Sequence, residues 1–197
     1  MSVDLERLRA SLLSAPADGD FVQEDGGEGL PLTPAAVLFP IVLRDDGHTV
    51  LLTQRTAHLR DHAGQISFPG GRVEAADASP LHTALRETEE EIGLSRKQVE
   101  ILGYLPEYRT GTGFRVTPVV ALVTPPFELA IDPFEVAEAF EVPLSFLLDP
   151  ANHQRHSLHY RGALRQFFAM PYGDYFIWGA TAGMIRSLTE LLGLHGG

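Results

Sequence analysis

No cysteine occurs among the 197 residues, which excludes disulfides, thiolate nucleophiles and zinc-thiolate sites. Long apolar runs are missing too: the longest with strand or helix character, Ala35 to Leu43, is too short to span a bilayer and contains Pro40. A secretory signal needs an unbroken apolar stretch, but MSVDLERLRASLL sets Asp4, Glu6, Arg7 and Arg9 among its leucines and reads as a short amphipathic helix. No membrane segment is expected, and the cytoplasm is the default location, compatible with the absence of cysteine. Positive charge is also scarce. With 15 Lys and Arg against 26 Asp and Glu, the formal charge of -11 argues against general nucleic-acid binding, because neutralising phosphates takes clustered cations. One stretch departs from this balance: between Gly29 and Val73 the acids are Asp45, Asp46 and Asp61, set against Arg44, Arg55, Arg60 and Arg72. A small anionic ligand suits such a locally basic segment.

The length fits one sizeable core. We divide the chain into an N-terminal helix and linker (1–32), a main domain (33–192) and a short tail (193–197). Pro16 to Pro34, rich in Gly, Asp, Glu and Pro, reads as a linker or wrapping loop. Ala35 to Leu43 and Thr49 to Gln54 are strand-like and flank DDGH, a hairpin signal, so they are expected to pair antiparallel. Gln65 to Phe68 forms a short strand before Pro69-Gly70-Gly71, with extended structure resuming at Arg72 to Glu74. A helix follows: Ser79 caps it, Pro80 suits its first turn, Leu81, Leu85 and Ile92 recur at helical spacing, and Gly93 ends it. Val99 to Leu105 and Phe114 to Val123 are further strands, joined by a loop containing RTGTG. Phe134 to Leu147 mixes a helical piece with an extended Phe140 to Pro143, Gln154 to Ala169 contains a hairpin turning at Arg161-Gly162, and Ile177 to Leu192 forms a helix whose apolar face includes Trp178. Interleaved strands and helices place the fold in the α/β (α+β) class.

RETEEEIGL crowds four glutamates into five positions of the helix over 80–92. At about 100° per residue, Glu87, Glu90 and Glu91 share one face, Leu81, Leu85 and Ile92 cluster on another, and Glu89 points elsewhere. Like charges at i, i+4 are locally unfavourable, and acids at the C-terminal end of a helix oppose its dipole. Such a face either meets water or holds a cation. Hard ions such as Mg²⁺ and Mn²⁺ take oxygen ligands, and rigidly presented carboxylates leave positions for water and phosphate. The nearby Pro-Gly-Gly loop favours the cation, since glycines let the backbone approach a ligand closely.

The stretch GGRVEAADASPLHTALRETEEEIGL resembles the Nudix box, G-x5-E-x7-R-E-U-x-E-E-x-G-U with U aliphatic. From Arg86 onward it matches except for Thr88 at an aliphatic position; upstream, the first glutamate of the pattern falls on Asp77, one residue further from Arg86 than the pattern has it. Just before it, LLTQRTAHLRDHAGQISFPGG resembles the signature LLTxR[SA]x3Rx3Gx3FPGG of the coenzyme A pyrophosphatases within that superfamily, with Thr56 where Ser or Ala is usual. GFRVTPVV and IWGATAGMI resemble the same subfamily, and the likeness runs from about residue 34 to 186.

The resemblance implies a Nudix-type α/β/α sandwich with a mixed central sheet. It also implies metal-dependent hydrolysis of the pyrophosphate of coenzyme A to 3',5'-ADP and 4'-phosphopantetheine, or to its acyl form. The cofactor would be Mg²⁺ or Mn²⁺, with Glu90 and Glu91 as primary ligands, Glu87 as a further ligand or the group that orients water, and the carbonyl of Gly70 or Gly71 as another ligand. Arg86 completes the catalytic set as a brace for the preceding loop through Glu74 or Asp77. Arg55 and Arg60 are candidates for the substrate phosphates, since guanidinium binds phosphate bidentately; Gln65 and Gly70 are placed with them. His62, like Gln65, is open between substrate contact and a loop brace, and Arg109 to Gly113 are open between a pocket border and turn chemistry. Glu135, Glu138 and Glu141 lie in a region where some Nudix enzymes add a distant metal ligand or base, but they match no fixed motif and read more readily as surface glutamates, while His153, His156 and His159 would scatter along a strand rather than hold a metal. Trp178 reads as core. Other nucleoside diphosphate derivatives, such as ADP-ribose or NADH, are the alternative substrates; a nucleotide-sensing module is a further alternative, and a homodimer is left open.

Overall fold

The computed structural model describes residues 4–17, 19, 21–26, 28–58, 63–160 and 162–194. Asp4 caps helix α1 (Leu5–Ser11) by accepting from the amides of Glu6 and Arg7. Strands β1 (Phe21–Gln23), β2 (Thr33–Val42) and β3 (Thr49–Arg55) follow, then the short β4 (Ile66–Ser67) and β5 (Gly70–Arg72). Helix α2 (Pro80–Ile92) starts at the Ser79 cap and stops at Gly93, whose φ of 68° only glycine adopts readily. Beyond it lie β6 (Val99–Tyr104), β7 (Glu107–Arg109), β8 (Phe114–Val123), β9 (Val136–Pro143), the one-turn α3 (Leu144–Leu147), β10 (Gln154–Tyr160), β11 (Ala163–Tyr172), β12 (Tyr175–Trp178) and α4 (Ala180–Leu191).

Among the described residues nine strands form one mixed sheet in the order β1-β7-β8-β2-β3-β4, with β5 on β2, β6 on β8 and β9 on β3; β10, β11 and β12 form a second, antiparallel sheet. At its centre β2 and β8 run parallel over ten pairs, and both read as nearly unbroken apolar runs because both faces are covered. The two-residue period sorts their side chains. Leu38, Val42, Val119 and Ala121 pack with Ala84 and Ile92 of α2, whereas Phe39, Ile41, Val120 and Leu122 pack with Ile185 and Leu188 of α4. Three layers result, helix on sheet on helix. Pro40 and Pro118 are tolerated inside these central strands because each falls in a gap between partners on one flank: Pro40 between the stretches paired to β5 and β3, Pro118 between those paired to β7 and β6.

Several expectations change. β2 and β3 do pair antiparallel, but only at Ile41–Val50 and Val42–Thr49 beside their connection; the rest of β2 belongs to β8 and β5. The region read as a linker contains β1, which pairs parallel with β7 inside the RTGTG-side loop, and Leu8 of α1 is fully buried in the α4-side core. No helical piece precedes Phe140: from Val136 the chain is β9, held across β3, and the helical turn α3 comes after Pro143 instead. The last helix starts at Ala180 rather than Ile177, since Ile177 and Trp178 pair with Met170 and Ala169 in β12 and Gly179, at φ 64°, makes the corner. Trp178 therefore sits on a strand, edge-on to Phe167.

Candidate active site

The site is built where the β4–β5 loop meets α2. Gly70 lies so close to β2 that a Cβ there would collide with the Ala36 carbonyl and the Val37 backbone, and its φ of 156° also favours glycine. Gly71 must be small for a different reason: the Glu87 carboxylate lies over it, 2.5 Å from where a Cβ would stand. The loop is braced from α2. Arg86 donates in parallel from Nε and Nη2 to the two oxygens of Asp77, both at 2.9 Å, and from Nη2 to the Arg72 carbonyl at 3.3 Å. Of the two acids left open for this role the structure selects Asp77, which also accepts from the Glu74 amide and the Thr83 hydroxyl. The Arg86 guanidinium, the Glu74 amide and the Thr83 hydroxyl together hold the Asp77 carboxyl well below the usual carboxylate range.

Glu87, Glu90 and Glu91 share a face but occupy three environments. Glu91 is 5% exposed, with Oε2 accepting from the Gly70 amide at 3.1 Å and Oε1 3.9 Å from Nη1 of Arg55. Burial pushes its pKa from the ordinary 4.5 to about 8; the Gly70 amide and Arg55 oppose that rise, while the charges of Glu87 and Glu135 add to it. Glu87 is half-buried beside Nη1 of Arg86 at 3.0 Å, and burial raises it too, against the pull of Arg86. Glu90 is exposed and accepts from the same Nη1 at 3.0 Å. Glu89 does point elsewhere, but to Arg96 rather than to bulk water.

Glu135 was read as a surface residue. The structure brings it to this cluster: its charge bears on both Glu87 and Glu91, and it immediately precedes Val136, the β9 partner of Arg55. No local motif announces it, because it lies 44 positions beyond Glu91 and is brought there by the β3–β9 register and by the backbone bonds of Ala130 and Asp132 to the end of α2. Glu138 and Glu141 are elsewhere, the first accepting from the Tyr175 hydroxyl and the second paired with Arg44. His153 bonds the Leu147 carbonyl and His156 stacks on Phe167.

Arg55 stands at the edge of the cluster, and its Nε is buried with no hydrogen-bond partner among the described residues, which leaves it capacity for an anion. The Gln65 carbonyl accepts from the Arg55 amide at 2.9 Å and so fixes the entrance to the signature loop. Arg60 and His62 lie outside the described residues. The Thr110 hydroxyl accepts from the Phe114 amide and the Glu24 carboxylate accepts from the Gly111 amide, so the RTGTG turn is tied to its own strand and to the β1 segment.

The donor set is all oxygen, the chemistry of Mg²⁺ and Mn²⁺. Among the described residues no three acidic or histidine side chains stand ready as a cage, since Arg86 holds Glu87 and Glu90. A cation nevertheless fits the surplus of negative charge: among the described residues the ion pair of Glu91 is the loose one with Arg55 at 3.9 Å, and the charges of Glu87 and Glu135 bear on it as well.

The sequence pattern of the NUDIX domain matches residues 32–162. A Citrobacter koseri protein named Nudix hydrolase NudL is 44% identical over 169 residues, spanning 86% of this chain and 88% of that protein. The Escherichia coli K12 protein of that name is 43% identical over 160 residues, spanning 81% and 83%. Among solved structures, the M. smegmatis Nudix hydrolase RenU superposes with a TM-score of 0.50 at 24% identity, covering 66% of this chain and 81% of its own. A MutT/nudix family protein from Enterococcus faecalis gives 0.50 at 18% identity, covering 82% and 62%. These two likenesses concern the fold.

Proposed function

The chain belongs to the Nudix family and is a Nudix hydrolase, and from that premise we propose that it cleaves the pyrophosphate of coenzyme A or an acyl derivative with the help of Mg²⁺ or Mn²⁺. The observation that carries the substrate is the placement of the signature LLTQRTAHLRDHAGQISFPGG: it starts on β3, delivers Arg55 to Glu91, and ends on the two glycines that Glu87 and Glu91 contact. A segment with both an arginine and the glycine loop at the carboxylates is suited to reading the diphosphate that those carboxylates attack through water.

Glu87, Glu90 and Glu91 would hold the cation, with the Gly71 carbonyl and the neighbouring Glu135 beside them. Bound there, the ion would neutralise phosphate charge and acidify a water molecule. The remaining work belongs to the chain. Arg86, locked on Asp77, keeps the glycine loop at a fixed height above α2. Arg55 presents Nε and Nη1 to a phosphate oxygen, while Glu91 restrains that guanidinium from one side. Glu87, lying over Gly71 with its affinity for protons raised by burial, is placed to orient water and take its proton at a carboxylate oxygen.

The test is hydrolysis of coenzyme A, acyl-coenzyme A, ADP-ribose and NADH with Mg²⁺, with Mn²⁺ and with EDTA. Highest kcat/KM on a coenzyme A compound, abolished by EDTA, is expected. Equal or better turnover of ADP-ribose or NADH overturns the substrate assignment, and undiminished turnover in EDTA overturns the metal.

A further inference from the structure

Residues 130–135 bridge two parts of the site. At one end they grip the last turn of α2: the Ala130 amide donates to the Ile92 carbonyl and the Asp132 amide to the Glu91 carbonyl, both at 2.9 Å, and Ala130 packs so closely on Gly93 that a Cβ there would clash. Asp132 then shapes the bend, its carboxylate accepting from the Phe134 amide and its carbonyl from the amides of Glu135 and Val136. At the other end a single residue takes two successive carbonyls. Thr56 donates its hydroxyl to the Phe134 carbonyl at 2.8 Å and its amide to the Glu135 carbonyl at 3.0 Å. Thr56 is 6% exposed, although the Phe134 side chain beside it is 65% exposed and rests on the His58 ring. A buried hydroxyl spent on the backbone of an exposed segment needs a reason.

Resting on the hydrolase reading above, we infer that Thr56 is a positioning residue: its hydroxyl sets the backbone at Phe134–Glu135 so that the Glu135 carboxylate faces Glu87 and Glu91. The β-sheet pairing delivers Val136 to Arg55 and the Thr56 amide carries it on to the Glu135 carbonyl, but a register shift falls at Gln54/Arg55, so the ladder is irregular just before it reaches Glu135. The hydroxyl bond adds a second hold beyond that irregularity, on the Phe134 carbonyl. Because α2 and the signature loop are both tied to the same six residues, it also couples the carboxylate helix to the arginine-bearing segment.

Thr56→Val keeps the shape and the amide bond but deletes the hydroxyl, and Thr56→Ser restores it. A net hydrogen bond of ordinary strength corresponds to about a three- to tenfold effect. Binding of Mn²⁺ alone to the metal-stripped protein, read from the loss of the free-ion paramagnetic resonance signal, should weaken by about that factor in Thr56→Val. The serine variant should bind within about twofold of wild type, and turnover of the coenzyme A compounds should follow the same order with KM little changed. Glu135→Gln should weaken Mn²⁺ binding by itself, and adding Thr56→Val to it should weaken binding no further, because one acts through the other. Equal Mn²⁺ affinity in wild type and Thr56→Val, or full additivity with Glu135→Gln, overturns the inference. A wild type that binds Mn²⁺ but hydrolyses none of the four compounds sinks the proposed function and leaves the Thr56 comparison to be decided by binding.

Discussion

Replacing Glu91 by Gln should make the metal-free protein more stable at alkaline pH. In the folded chain the Glu91 carboxyl titrates at about 8, and unfolded it returns to about 4.5. Between those values the folded state keeps a proton that the unfolded state has released, so stability falls as pH rises, and above about 8 the full cost of the buried charge is present. At about 1.4 kcal/mol per pH unit the interval corresponds to roughly 3–5 kcal/mol, and relaxation of the site around the charge lowers the expected effect to about 2–4 kcal/mol. Gln is nearly isosteric and still accepts from the Gly70 amide. Urea unfolding of both proteins in EDTA at pH 5, 7 and 9 measures the difference, which should be small at pH 5 and reach the stated size at pH 9. Millimolar Mg²⁺ should stabilise wild type at pH 9 and do little for the variant, since binding to the folded state alone is what raises stability. A wild-type stability in EDTA that is flat from pH 5 to 9, or a variant no more stable at pH 9 than at pH 5 relative to wild type, refutes the reasoning.

Gly71→Ala should lower kcat at least about tenfold, equivalent to 1.4 kcal/mol in the barrier, with a small change in melting temperature, because the new methyl displaces the Glu87 carboxylate. Gly70→Ala should instead destabilise by about 1–3 kcal/mol in urea, since backbone rather than a side-chain tip is in the way. Arg86→Lys loses the two-pronged grip on Asp77; melting temperature and turnover should both drop, and combining it with Asp77→Asn should be far from additive. Leu8→Ala, at a fully buried position of α1, should cost about 2–5 kcal/mol in urea, whereas a loss below half a kcal/mol would make α1 an appendage.

What could be read from the chain was what lies within one element or one turn. Ser79, Pro80 and Gly93 bound α2 because capping and the left-handed stop depend on neighbours in sequence, and the helical period alone places Glu87, Glu90 and Glu91 together and Glu89 apart. The hairpin at Gly162 and the strands flanking Gly47 were legible for the same reason. Misreadings arose where strand pairing overrode local preference. Ile177 and Trp178 look like the start of an apolar helix, yet ladder bonds to β11 claim them; the stretch after Phe134 reads as partly helical until β3 is placed beside it.

By itself, then, the sequence determined the α/β (α+β) class, the capped helix with its carboxylate face, and the glycine loop ahead of it, since spacing, capping and backbone freedom act over a few residues, while the three-layer arrangement was implied by the family resemblance. Only the tertiary structure decided that Asp77 rather than Glu74 braces Arg86, that Glu91 alone of the three is buried against Gly70 and Arg55, and that Glu135 comes from the turn before a distant strand to join them. Those outcomes depend on desolvation and on registers between segments far apart in the chain, and neither quantity exists until the sheet has closed.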